Sequence, residues 1–149
     1  MYHFNRWIIK GFVLTAIIFF GCQSQDSKHH TIHPAEIEKI EGSELCRVIL
    51  TEKAMERLGI EISEVRQEIV EHSRPELRNT VPYSAIIYDP RGQSWVYSNP
   101  EPRTFIRHKI TVDFIVDNLV VLNDGPPVGA QVVSVGVAEL YGTEFGIGH

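Results

Sequence analysis

From Ala85 onward the chain is cut into short apolar runs by rigid turn signals, and this punctuation constrains the fold more than any other feature. Asp89-Pro90-Arg91-Gly92 carries Asp first, Pro second and Gly fourth, the residues a type I turn takes. It predicts a hairpin between Ala85–Tyr88 and Ser94–Tyr97. Asn99-Pro100-Glu101-Pro102 predicts a second turn. Ile106, His108, Ile110, Val112 and Phe114 then alternate with Arg107, Lys109, Thr111 and Asp113. Period two with charges on the other face predicts one half-buried strand. Asp117-Asn118 reads as a tight reversal into Leu119–Leu122, and Asn123–Gly129 as a rigid loop before a last strand over Gln131–Val137.

Upstream, Arg47–Leu50 reads as a strand. Thr51 is a good N-cap, Glu52 suits a first helical turn, Arg57 suits a last one, and Gly59 can take the left-handed conformation that ends a helix. These signals predict a helix over Glu52–Leu58. An extended segment follows from Ile60 to about Val70, and a polar break around Pro75 covers residues 71–78. The reading is mainly β: a small β-roll or open barrel of six or seven short strands with one short helix, occupying residues 47–149 as a single domain.

The first residues form a separate object. Arg6 and Lys10 precede an uncharged apolar run, Gly11–Phe20, about half the length needed to span a bilayer. Gly21-Cys22 follows, and the chain turns polar at once. Positive start, short apolar run and small residue are the parts of a secretory signal, expected over residues 1–21. The Cys directly after the small residue resembles a lipoprotein box, which implies cleavage before Cys22 and acylation of its thiol. Phe19 stands where that box has Leu, and an uncleaved membrane anchor is the alternative. Either reading places the remainder outside the cytoplasm, periplasmic and membrane-attached. Residues 22–46 read as a flexible polar tether.

Charge and motifs narrow the chemistry. Removing residues 1–21 takes away Arg6 and Lys10 and no acid, moving the net charge from −5 to −7. There is no run of Lys or Arg, so nucleic acid is not an expected partner. No Gly-x-Ser-x-Gly elbow, phosphate loop or dinucleotide fingerprint occurs, so neither an enzyme nor a resident cofactor is expected. Cys46, the only thiol besides Cys22, reads as a small buried hydrophobe, and no disulfide framework is expected. His108 falls on the apolar side of its strand and reads as a core or interface histidine. Trp95 and Tyr97 read equally as core or as docking surface. His29, His30 and His33 are the one cluster with ligand chemistry, since imidazoles suit Zn, Cu and Ni. They support an alternative reading as a metal- or small-ligand-binding lipoprotein.

Three segments carry a family resemblance. Val81–Asp89 (VPYSAIIYD), Trp95–Tyr97 (WVY) and Pro126–Leu140 (PPVGAQVVSVGVAEL) resemble the C-terminal segment of periplasmic adaptor subunits. These are the membrane fusion proteins of resistance-nodulation-division tripartite efflux pumps. Leu50–Val65 (LTEKAMERLGIEISEV) is similar to the segment that precedes the adaptor's helical hairpin. A full adaptor places a lipoyl-like domain, a long helical hairpin and a β-barrel domain between those two segments. Here only Val70 to Val81 bridge them, and no coiled-coil heptads occur. The resemblance thus implies a truncated form keeping the membrane-proximal β-domain alone, which adaptors build from both ends of the chain. It implies a non-catalytic part of an efflux system, with an inner-membrane pump or a full-length adaptor as partner and a homo-oligomer as an open alternative. The expected contact surfaces are the Asp89–Gly92 tip, the strand Thr104–Phe114 and the Asn123–Gly129 loop. Arg103, Arg107 and Lys109 form the expected basic margin for an acidic partner.

Overall fold

The computed structural model describes residues 33–71 and 75–147. The expected signal peptide, Cys22, His29 and His30 lie outside them. The first hairpin pairs β1 (Ala35–Lys39) with β2 (Cys46–Leu50), from Ala35 opposite Leu50 to Lys39 opposite Cys46. This corrects the tether boundary at 46. An edge strand needs only a thin apolar side, and Ala35 supplies it by packing on the core while Glu38 pairs with Arg47 at 3.0 Å. Composition alone reads such a segment as polar linker.

The helix α1 (Glu52–Leu58) forms as expected. The Thr51 hydroxyl accepts from the Ala54 N–H at 3.2 Å, and Gly59 closes the helix at φ 62°. Thr51→Ala is expected to cost about 1 kcal/mol, read as a lower urea midpoint with unchanged slope.

The extended segment divides into β3 (Glu61–Glu64) and β4 (Arg66–Glu71). The expected polar break is instead the start of β5 (Pro75–Pro82), which pairs with β4 in one long hairpin. Pro75 sits at the first strand position, where a missing N–H is tolerated. Glu68 opposite Arg78 lets polar side chains face each other without burial.

A short 3-10 turn at Tyr83–Ala85 leads to β6 (Ile87–Tyr88), and the Asp89–Gly92 turn returns the chain into β7 (Ser94–Glu101). Gly92 N–H donates to the Asp89 carbonyl at 2.9 Å. The Asp89 carboxylate accepts from the backbone N–H groups of Arg91 and Gln93 and from the Trp95 indole. Partial desolvation raises its pKa, but these donors together outweigh that and hold it below the ordinary value. β7 runs through the expected second turn. The Asn99 amide donates to the carbonyls of Glu101 and Thr104, bracing a bulge, and the reversal falls at Pro102-Arg103.

The alternating stretch is not one strand. It breaks at Ile110 into β8 (Thr104–Lys109) and β9 (Thr111–Val116), which belong to different sheets. Asp117, at φ 51°, then turns the chain into β10 (Leu119–Asp124). The last strand, β11 (Gln131–Val135), stops two residues early at Gly136, and a second helix follows, α2 (Val137–Phe145). Val137, Leu140, Tyr141 and Glu144 recur at helical spacing, a signal present in the sequence but overridden by the preceding valine-rich strand.

The class is mainly β, and the strands form two antiparallel sheets with no closed barrel among the described residues. One sheet is ordered β1-β2-β8-β7-β11-β3, with β6 also on β7; the other is β4-β5-β10-β9. The described strands number more than the six or seven expected because β1 and β5 carry too little apolar pattern to announce themselves, and because two expected stretches divide into β3 and β4 and into β8 and β9.

Two cores explain the stacking. Tyr97, Phe105, Val133, Val48 and Leu50 pack against Ala54, Val137 and Leu140 of the two helices. Val96, Val132, Val65, Ile110, Val81, Val120 and Leu122 pack between the sheets. Neighbours Val96 and Tyr97, and Val132 and Val133, thus enter opposite cores. β7 and β11 are buried on both faces, which is why they read as continuous apolar runs. Residues 32–149 form one compact unit.

Candidate interaction surfaces

The break at Ile110 decides where the basic residues go. On β8, Thr104 is buried beside the turn and Phe105 and Arg107 are buried facing the helices, while His108 is exposed. Arg107 is therefore corrected from a solvent-facing contact to an interior residue, and His108 from the apolar face to the surface. Phe105 enters the helix-side core on the same face as Arg107, so the face of β8 expected to meet solvent is covered.

Arg107 stands opposite Tyr97 on the β7–β8 ladder. Its Nε donates to Glu144 Oε1 on α2 at 3.0 Å and lies 2.8 Å from Oε2. The two side chains are 10% and 2% exposed, so this is an interior ion pair. Tyr97 Oη donates to the same carboxylate at 2.5 Å. Burial pushes the Tyr97 hydroxyl far above its ordinary pKa, and the bond to Glu144 adds to that shift, so the phenol stays a donor. The guanidinium carbon lies 4.8 Å from the ring centres of Trp95 and Phe145 and 5.9 Å from that of Tyr141. The cluster fastens α2 to the sheet. Tyr97 is thus a core residue, and Trp95 sits half-buried at the core's margin.

Arg103 and Lys109 are exposed, as expected of contact residues. They lie at opposite ends of β8, about 20 Å apart at strand rise, and form two separate points of charge. Arg103 holds φ 63° in the β7–β8 turn, where its carbonyl accepts the Leu50 N–H at 2.9 Å.

The Asn123–Gly129 region borders a surface cleft of about 460 Å³. β7 supplies Ser98, Asn99 and Pro100, β8 supplies His108, and the loop supplies Pro126, Pro127 and Gly129, with Ala130 and Gln131 following. The cleft opens where the larger sheet runs past the smaller one. No residue of β1, β2 or β8 belongs to the core between the sheets, and Ile49 and Ile106 are only half-buried there.

His33 is exposed, and among the described residues no group of three or more His, Cys, Asp or Glu is arranged to hold a metal ion. Cys46 is a free, half-buried thiol on β2. Among the described residues no helix is long and apolar enough to cross a membrane. No protein-family model matches the chain, and no curated protein matches it.

Proposed function

We propose that this chain is a non-catalytic, adaptor-like interaction module of a resistance-nodulation-division efflux system. It is anchored through Cys22 on the periplasmic side of the membrane, where it binds the inner-membrane pump or a full-length adaptor. One observation carries the reading. The two adaptor-like segments, far apart in a full adaptor sequence, pair directly here. β3 of the upstream segment pairs with β11 of the downstream one, so the upstream segment supplies a strand to the sheet built by the downstream one. Their junction is the β4–β5 hairpin, which closes the chain where an adaptor's middle domains would be inserted. A domain made from both ends of a longer chain can lose its middle in this way, provided a short turn spans the gap.

The contact is assigned to the cleft and to the exposed cations Arg103 and Lys109 that flank β8. Lipidated protein retrieved from membranes should bring pump or adaptor subunits with it. Arg103→Glu with Lys109→Glu, both on exposed side chains, should weaken capture about five- to tenfold at low salt and less at high salt. Equal capture by the double variant would remove β8 from the contact. If the unaltered protein captures no efflux component, the efflux reading fails and metal binding by His29, His30 and His33 moves ahead.

A further inference from the structure

Apolar side chains gather at one corner of the domain, where α2 ends on β7 and β8. Trp95 and Phe145 share the Arg107 guanidinium, and the Tyr141 and Phe145 rings lie 4.6 Å apart. Phe145 is 47% exposed and Ile147 67%. The Ile147 N–H donates to the Gly142 carbonyl at 2.8 Å, so Ile147 is folded back beside the helix. The polar groups of this corner already have partners. Arg107 and Tyr97 are bonded to Glu144, and the Trp95 indole N–H is bonded to Asp89. Such a corner can leave water without stranding a donor or a charge. Lys109 stands across the ladder from Trp95 and is exposed.

This residue set is that of a bilayer interface. Trp and Tyr rings favour the headgroup level, Phe and Ile reach the acyl boundary, and a Lys can meet phosphate. We infer that the Trp95–Tyr141–Phe145–Ile147 corner rests on the surface of the bilayer to which the chain is anchored. The inference depends on the proposed anchor at Cys22. The twelve residues 23–34 separate that cysteine from β1 and extend to about 40 Å at most. The domain is then confined to the neighbourhood of the lipid, and a weak apolar contact is amplified by its high effective concentration. The net charge of −7 after residue 21 gives no general attraction to anionic lipid. Apolar burial therefore drives the contact, which makes it insensitive to salt.

The test uses the lipidated protein beginning at Cys22, in which Trp95 is the single tryptophan. The lipidated protein is reconstituted in phosphatidylcholine vesicles, with or without bromine on the acyl carbons nearest the headgroup. Flotation reports the anchor, and quenching of Trp95 reports the corner. The expected result is flotation with emission lowered about twofold by the brominated lipid, at low and high salt alike. Phe145→Asp with Ile147→Asp should abolish the quenching, and Ile147→Asp alone, at a side chain 67% exposed, should weaken it while the unfolding midpoint holds. Flotation without quenching overturns the inference and leaves the anchor intact. Quenching that survives the double variant also overturns it. Protection of the corner only when membrane proteins are added assigns it to a protein contact, again overturning it. Failure to float, with an intact mass showing no acyl chain, brings down the anchored reading and the inference with it.

Discussion

Replacing Arg107 with leucine is expected to remove about 3–5 kcal/mol of folding stability. The guanidinium is the only cation bonded to Glu144 among the described residues, and that carboxylate is 2% exposed. Without it, the charge is left with one phenol donor, Tyr97 Oη, in a largely dry setting. A buried charge that loses its counter-ion costs far more than the pair itself contributes, because the desolvation penalty remains while the attraction is gone. The aromatic rings of Trp95 and Phe145 lose their shared cation as well. The melting temperature should fall by on the order of 10 °C or more. Arg107→Leu combined with Glu144→Leu and Tyr97→Phe should recover most of the loss, since three apolar groups leave neither a charge nor the Tyr97 hydroxyl stranded. A single-variant loss below about 1 kcal/mol would be the behaviour of a solvated pair, and would mean that α2 is undocked in solution.

That residue also shows where the sequence could be read and where it could not. The local signals that carry their own chemistry were legible. Thr51 and Gly59 bound α1 at the expected residues, Asp89 and Gly92 close the expected turn, and Asp117 makes the expected reversal. Signals that depend on a partner strand were not. The alternation from Ile106 to Phe114 keeps one phase while Ile110 carries it from one sheet to the other. The error lay in which face of β8 is covered: α2 closes over the Arg107 face, and the His108 face lies at the open margin of the core between the sheets. An arginine also reads as surface by default, and only its partner Glu144, 37 residues away on an unanticipated helix, reveals it as interior. Of the candidate margin, Arg103 and Lys109 stayed at the surface, but their separation along β8 could not be read without the turn at Pro102-Arg103. The β1 and β5 strands were missed for a related reason. Their pairing is stabilised by backbone hydrogen bonds and opposed charges, which leave almost no apolar pattern in the sequence.

Gly136 marks the other place where a distant contact fixes a residue, and Gly136→Ala is expected to cost about 2–4 kcal/mol. Two effects add. The backbone there is left-handed, at φ 82°, which disfavours any side chain by about 1–2 kcal/mol. A Cβ would also stand 2.6 Å from Ile60 Cδ1 and 3.0 Å from the Leu58 carbonyl oxygen. The isoleucine methyl can swing aside, but the carbonyl belongs to the last turn of α1 and cannot move without disturbing that helix. Gly136 is thus the point where the end of α1 touches the turn from β11 into α2, the two helices covering the same core. Gly92 separates the two effects. It has φ 76° and nothing within 4 Å of its Cβ position, so Gly92→Ala should show the conformational cost alone. Denaturant unfolding of both variants tests the difference. Gly136→Ala should lose at least about 1 kcal/mol more than Gly92→Ala, with faster amide exchange concentrated in α2. Equal losses would show that the approach of α1 to this turn is loose in solution, and that α2 is held by the Arg107–Glu144 pair without help from the turn that begins it.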